Sequence, residues 1–142
     1  MTIKVKLLHG FFTLACLAGC GEQGPQRAAV NGSVSFDGNL IPDGQIAFIP
    51  TAETKGPSAA GIIKDGKYAI EVSKGSAIGK HRVEIRAERK TGRIYSAEDT
   101  ERNMGAVEDF EPYIPVKYNR ESTLTVDISP GDNNDVDFDL TR

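Results

Sequence analysis

The stretch VNGSVSFDG, residues 30–38, decides the fold of this chain. Apolar or small residues at its even positions alternate with polar residues at its odd positions. Successive side chains of a strand point to opposite faces, so this period of two indicates a β-strand with one buried face. The Asp37-Gly38 pair that closes the stretch is typical of a tight turn. We therefore predict a strand that ends in a turn.

Six further segments show the same period, and turn signals such as Asp65-Gly66 and Pro130-Gly131 separate them. No long stretch fits the helical period of 3.6 residues. Seven short strands with turns between them predict an all-β fold, a seven-stranded Greek-key β-sandwich. The six additional strands are expected at residues 46–50, 61–64, 68–72, 82–88, 124–128 and 136–140.

A long insertion separates the fifth and sixth predicted strands, over residues 91–121. Residues 98–109 are rich in acidic side chains and poor in apolar ones, so little burial would offset their ordering entropy, and we predict that they are mobile. Residues 113–119 instead carry Tyr113, Ile114 and Tyr118. We predict that this second part packs against the sandwich.

The N-terminal residues have the three parts of a lipoprotein signal. Lys4 and Lys6 precede an apolar run over residues 7–18, and the run ends in Leu-Ala-Gly-Cys at positions 17–20. The run is shorter than the ~20 apolar residues that a membrane span needs. We therefore predict a signal peptide at residues 1–19 and a lipid on Cys20.

This signal sets the predicted organisation and location of the mature chain. A polar, Gly- and Pro-containing spacer follows at residues 20–28, and residues 29–142 form the domain. The protein would be held in the cell envelope, on the periplasmic or extracytoplasmic side, with the membrane as partner through the lipid on Cys20.

Charge and cysteine content exclude several classes of function. The 17 basic residues of the chain include both signal lysines, so 15 remain in the mature protein against 20 acidic residues. No basic patch is left, which argues against nucleic acid as a partner. Cys16 leaves with the signal and Cys20 is lipidated, so the domain has no disulfide. We expect a monomeric domain without a cofactor.

Several motifs together resemble a known family. The stretch at residues 30–38 is followed by IAFIP at 46–50, DGKY at 65–68 and GKHRV at 79–83. This series resembles the carboxypeptidase-regulatory-like, or transthyretin-like, domain, and YIPVKYN at 113–119 resembles the later half of small bacterial lipoproteins with that domain. The resemblance spans residues 29–142. It implies a prealbumin-like sandwich that serves as an accessory or interaction module without an active site.

Two kinds of chemistry, hydrolysis and calcium binding, are alternatives to a module without an active site. His81 is the one histidine of the mature chain, and a hydrolase that uses it is an alternative, although we expect its ring to be solvated at the start of a strand. Calcium binding is another alternative, because aspartates crowd the end of the chain. Their alternation with Val136 and Phe138 favours a solvated strand face instead. The candidate metal ligands are Asp132, Asp135, Asp137 and Asp139.

The aromatic residues of the insertion are the remaining candidates. Tyr95, Phe110 and Tyr113 are the candidate ligand-binding residues, and the ligand would be a glycan or an envelope protein. The alternative is that these rings pack against the sandwich and cover an edge strand. The function that the sequence favours is a non-catalytic binding or structural module, with calcium or carbohydrate binding as the alternatives.

Overall fold

The alternating segments form strands in the computed structural model, which describes residues 24–95 and 107–142. All seven predicted strands are present, and five shorter or unexpected ones accompany them. In chain order the strands are β1 Arg27–Phe36, β2 Asn39–Leu40, β3 Asp43–Pro50, β4 Ala59–Lys64, β5 Lys67–Ile70, β6 Ser76–Ala77, β7 Gly79–Arg86, β8 Glu88–Tyr95, β9 Val107–Pro112, β10 Thr125–Ile128, β11 Asp132–Asn133 and β12 Phe138–Leu140.

Helical structure in the described residues consists of two 3-10 turns, at Val72–Lys74 and Val116–Tyr118. Neither has the length or the apolar composition that a membrane crossing requires, nor does any other helix in this part of the chain. The signal residues and Cys20 lie outside the described residues. β1 starts at Arg27 and buries Ala28, so the predicted domain boundary at residue 29 falls inside this strand.

The main sheet has the strand order β10-β7-β3-β4-β5-β1-β11, and β2, β6 and β12 also pair with β1. β11 and β12 run parallel to β1, and the other pairs are antiparallel. The sheet curls around one core, so the predicted all-β sandwich is confirmed. Because β1 is shared by so many partners, it is the organising strand of the molecule.

Side chains from the inner faces of these strands fill the core. Phe48 on β3 is fully buried, and its ring lies 6.0 Å from that of Tyr68 on β5, measured between centroids. The alternation seen in the sequence accounts for this, since Ile46 and Phe48 share one face of β3 and Val83 and Ile85 share one face of β7. The largest fully buried apolar side chains are Phe48, Ile41, Ile46, Ile63, Ile85, Leu140, Val30, Val34 and Val83.

Residues 134–137 run alongside β1, between β11 and β12, and lie directly against Gly32, which has no side chain. A Cβ on Gly32 would lie 2.1 Å from the carbonyl oxygen of Val136. That oxygen accepts a hydrogen bond of 2.6 Å from the hydroxyl of Tyr68, the residue paired with Gly32 across the sheet. Burial raises the pKa of the Tyr68 phenol, which keeps it a hydrogen-bond donor. The absence of a side chain at Gly32 therefore makes room for the hydrogen bond from Tyr68 to Val136, which holds residues 134–137, the closing segment, against β1.

The segment after β9 packs against the sandwich as predicted. Ile114 is buried, and Tyr113 and Tyr118 lie against the core. The buried Ser122 hydroxyl donates to the carbonyl of Val83 on β7, and the Tyr118 hydroxyl accepts a hydrogen bond of 3.1 Å from the backbone N–H of Thr141. These contacts hold the whole segment on the sandwich.

The strand register gives the sandwich two distinct ends. β1 begins at the end that also holds Ala59 of β4 and Gly79 of β7, which we call the near pole. Arg86 ends β7 at the opposite end, beside Gln45 near the start of β3, and we call this the far pole. β1 has ten residues and therefore extends about 33 Å between the poles.

Candidate functional site

The main departure from the sequence prediction is a two-stranded arm at the far pole. β8 and β9 pair antiparallel with each other and with no other strand of the described chain. The insertion predicted at residues 91–121 therefore contains regular structure. Val107, Glu108 and Asp109 of the segment predicted to be mobile lie in β9, and residues 98–106 of that prediction lie outside the described residues.

Ion pairs between oppositely charged strands hold the arm together. Arg89 contacts Glu111 at 2.7 Å, and Lys90 contacts Glu108 at 2.7 Å, between nitrogen and carboxylate oxygen. The Thr91 hydroxyl donates to the Asp109 carboxylate. β8 is thus the basic strand of the arm and β9 the acidic one. Every residue of β8 is exposed, so this strand contributes no buried side chain to a core. The contacts between the side chains of β8 and β9 are these polar ones.

The three predicted ligand residues do not form one surface. Phe110 pairs with Lys90, whereas Tyr95 pairs with Val107, so Phe110 and Tyr95 lie on opposite faces of the arm. Tyr113 packs edge-on against Phe36 at 5.9 Å between ring centroids, and the Arg89 guanidinium lies 5.9 Å from its ring. Tyr113 is therefore part of the sandwich, and Phe110 and Tyr95 remain as exposed rings on opposite faces of the arm.

A cleft lies between the Phe110 face of the arm and the outer face of the sheet. Ile62 of β4 is 63% exposed and Phe110 is 49% exposed, and both line this cleft. We call it the arm cleft; it has a volume of about 550 Å³ and is lined by Asp43, Gly44, Gln45, Ile62, Arg86, Ala87, Glu88 and Phe110. Apolar groups flanked by charged ones in a concave surface are typical of a binding site.

The sequence interpretation missed Ile62 and the arm itself. Ile62 faces outward from β4 in one cross-strand row with Gln45 and Arg86. No pattern in the sequence distinguishes a single exposed isoleucine such as Ile62 from a buried one. The arm did have one, because basic residues at 89–93 are followed by acidic residues at 108–111, as cross-strand pairing requires.

The four candidate metal ligands lie in the C-terminal strands that pair with β1 and in the segment between these strands. Asp132 lies in β11, and Asp135 has a left-handed backbone with φ of 58°. The Asp137 carboxylate accepts hydrogen bonds from the N–H and hydroxyl of Ser33, and Asp139 accepts one from Ser35. Within residues 24–95 and 107–142, no three acidic, His or Cys side chains are grouped to hold a metal ion.

His81 is fully buried, so the expectation of a solvated ring is wrong. Its side chain lies on the core face of β7, together with Val83. Nδ1 lies 3.0 Å from the carbonyl oxygen of Gly79 and donates to it, and Nε2 is buried without a hydrogen-bond partner in the described structure. A substrate in solvent does not reach this ring. His81 is therefore not placed to act as the general base that the hydrolase alternative requires.

His81→Leu is expected to leave the free energy of unfolding within about 1 kcal/mol of wild type, because it removes an unsatisfied polar atom while it keeps most of the volume. His81→Ala is expected to cost about 2–4 kcal/mol, since it leaves a cavity. Urea denaturation measures both changes. Equal losses for the two variants would mean that the hydrogen bond from Nδ1 to the Gly79 carbonyl, which both variants remove, contributes more to stability than the packing of the ring.

None of the family models matches the chain, and neither the curated proteins nor the solved structures compared with it give a match. The arm cleft and the fold around it are therefore the basis for assigning a function.

Proposed function

We propose that this protein is a lipid-anchored, non-catalytic binding module of the bacterial cell envelope. The observation that carries the proposal is the separation of the two poles. β1 starts at Arg27 on the near pole, and the arm and its cleft leave the sandwich from the far pole, after Arg86. An anchor that precedes β1 would therefore hold the near pole at the membrane and present the arm cleft to the compartment beyond.

The dimensions fit this arrangement. The spacer between Cys20 and Arg27 is short and spans at most about 25 Å. The sandwich adds about 33 Å along β1, and the arm extends further by the length of β8. The arm cleft would be clear of the lipid headgroups but confined to a layer close to the membrane. Such a position suits contact with another envelope component.

The chemistry of the described residues supports a binding role over a catalytic one. His81 is enclosed in the core, and the candidate carboxylates Asp137 and Asp139 accept hydrogen bonds from β1. The exposed groups of the arm cleft are an isoleucine, a phenylalanine and flanking charges. These groups provide contact area and orientation, and none of them is a nucleophile with an adjacent base.

The anchor is tested by Cys20→Ser, with Cys16→Ser as the matched control. Because lipid attachment requires the thiol after the small pair, we expect Cys20→Ser to accumulate as an uncleaved precursor without an acyl adduct. Cys16→Ser lies inside the apolar run and is expected to be processed normally. Mass spectrometry of the membrane fraction distinguishes the forms. A wild-type protein that is cleaved at another residue and carries no acyl chain would refute the proposal.

A further inference from the structure

The open edge of β8 is an unfilled strand position. Ala87 accepts a hydrogen bond from the N–H of Tyr113, on the side where β9 lies. Backbone groups of a strand alternate between its two edges, so those of Glu88 and Lys90 point to the other side. No strand of the described chain pairs with that edge. It presents two N–H donors and two carbonyl acceptors in the spacing of a β-ladder.

β3 pairs with the edge of β7 that corresponds to the open edge of β8, and this pairing stops before β8 begins. β3 pairs with β7 up to Gln45 and Arg86, and the chain departs at Pro42 toward the β4–β5 turn, where the Pro42 carbonyl accepts from the N–H of Asp65. An extended segment beside β8 would therefore continue the line of β3. The arm cleft lies directly next to this line, since it includes both Asp43 and Glu88.

The charges of β8 determine what such a segment must carry. β8 has three cations, Arg89, Lys90 and Arg93, against one carboxylate. Arg89 and Lys90 each meet one carboxylate of β9, and both side chains remain more than half exposed. Opposite charges on directly paired residues stabilise a strand pair, and like charges destabilise it. A segment with carboxylates opposite these cations is favoured.

The same charges disfavour a second copy of this chain at the edge. A two-fold dimer through β8 would pair Arg89 with itself when centred on Arg89, and would pair Lys90 with itself when centred on Lys90. A dimer through the free edge of β9 would oppose Glu108, Asp109 and Glu111 in the same way. Charged edges of this kind are how proteins prevent self-pairing.

We propose that the open edge of β8 binds an extended, acidic segment of a partner protein, which adds a strand to the arm and places an apolar side chain in the arm cleft. Lys90 shares its face of the arm with Phe110, so a partner carboxylate opposite Lys90 lies beside the cleft. An apolar side chain two residues away on that face would contact Phe110 and Ile62. The inference rests on the proposed binding function and specifies its site, mode and partner class.

The probe for this proposal is a capped synthetic peptide, VEDFEV. It keeps the acidic pattern of β9 and has valine in place of the proline, which cannot donate a hydrogen bond. Titrated into the isotope-labelled full chain in detergent, it is expected to shift the amide signals of Glu88 and Lys90 and to slow their hydrogen exchange. The peptide VKKFKV, with lysines for the acids, is expected to bind at least tenfold more weakly.

Lys90→Glu is expected to weaken VEDFEV binding about tenfold, and so is Phe110→Ala. Lys74→Glu makes the same charge change in an exposed turn of the near pole and is expected to leave binding unchanged. Equal binding of the two peptides, amide shifts confined to other surfaces, or a concentration-dependent dimer without peptide would overturn the proposal. Loss of peptide binding in a chain whose Cys20-dependent anchoring persists would refute this inference and leave the anchored location intact.

Discussion

Gly32→Ala is expected to lower the free energy of unfolding by about 3 kcal/mol, the upper part of the range for overpacked sites. The added Cβ would lie 2.1 Å from the Val136 carbonyl oxygen and 2.5 Å from its carbon, and neither is the end of a flexible side chain. Relief requires residues 134–137 to move away, which breaks the 2.6 Å bond from Tyr68 to Val136. Urea denaturation measures the loss.

Gly24→Ala is the matched control for that variant. A Cβ on Gly24 meets nothing within 4 Å, so the substitution is expected to change stability by less than about 0.5 kcal/mol. Amide exchange gives a local readout, because the Val136 N–H donates to the Asn31 carbonyl and should exchange faster in Gly32→Ala. Unchanged stability and unchanged exchange in Gly32→Ala would show that residues 134–137 do not lie against β1 at this position.

Phe48→Ala is expected to cost about 3–5 kcal/mol, which is a large part of the stability of a small domain. The ring is fully buried and contacts Tyr68, so its removal leaves a cavity in the centre of the core. Phe110→Ala removes the same ring from a half-exposed position on the arm and is expected to cost less than about 0.5 kcal/mol.

Thermal and urea unfolding of these two phenylalanine variants separate the core from the arm. A stable Phe110→Ala protein is also needed for the peptide titration, since its weaker binding then reports a lost contact. Comparable losses of stability for Phe48→Ala and Phe110→Ala would contradict the burial of the one ring and the exposure of the other.

The strands of the sandwich could be predicted because each has one wet and one dry face. Val83 and Ile85 alternate with the charged neighbours Arg82, Glu84 and Arg86. Asp65-Gly66 takes positive φ at both positions, as a two-residue hairpin turn requires. His81 follows the same alternation on β7, and its polar character led to the wrong expectation of a solvated ring. The register of the strand determined its burial.

The arm could not be predicted in the same way because both of its faces are wet. Hydrophobic alternation is absent from β8, and a register shift between Lys90 and Ile94 disturbs the period further. Its two strands are joined by backbone pairing and by charge pairs between residues 18 and 22 positions apart. Complementary charge is a weaker signal than hydrophobic period, and the separation of Phe110, Tyr95 and Tyr113 follows only from the register.

The pairing of β1 has a consequence for when the protein can fold. One edge of β1 is covered by β11 and β12, and the bond from Ser33 to Asp137 joins residues 104 positions apart. Such distant pairing has a high contact order and forms slowly, because a long loop must close first. The signal at residues 1–19 predicts a chain that is exported unfolded. In such a chain β1 would cross the membrane early, and it could pair with β11 and β12 only after the end of the chain had followed. In such an exported chain, this topology would delay folding until most of the chain has crossed the membrane, which would favour secretion.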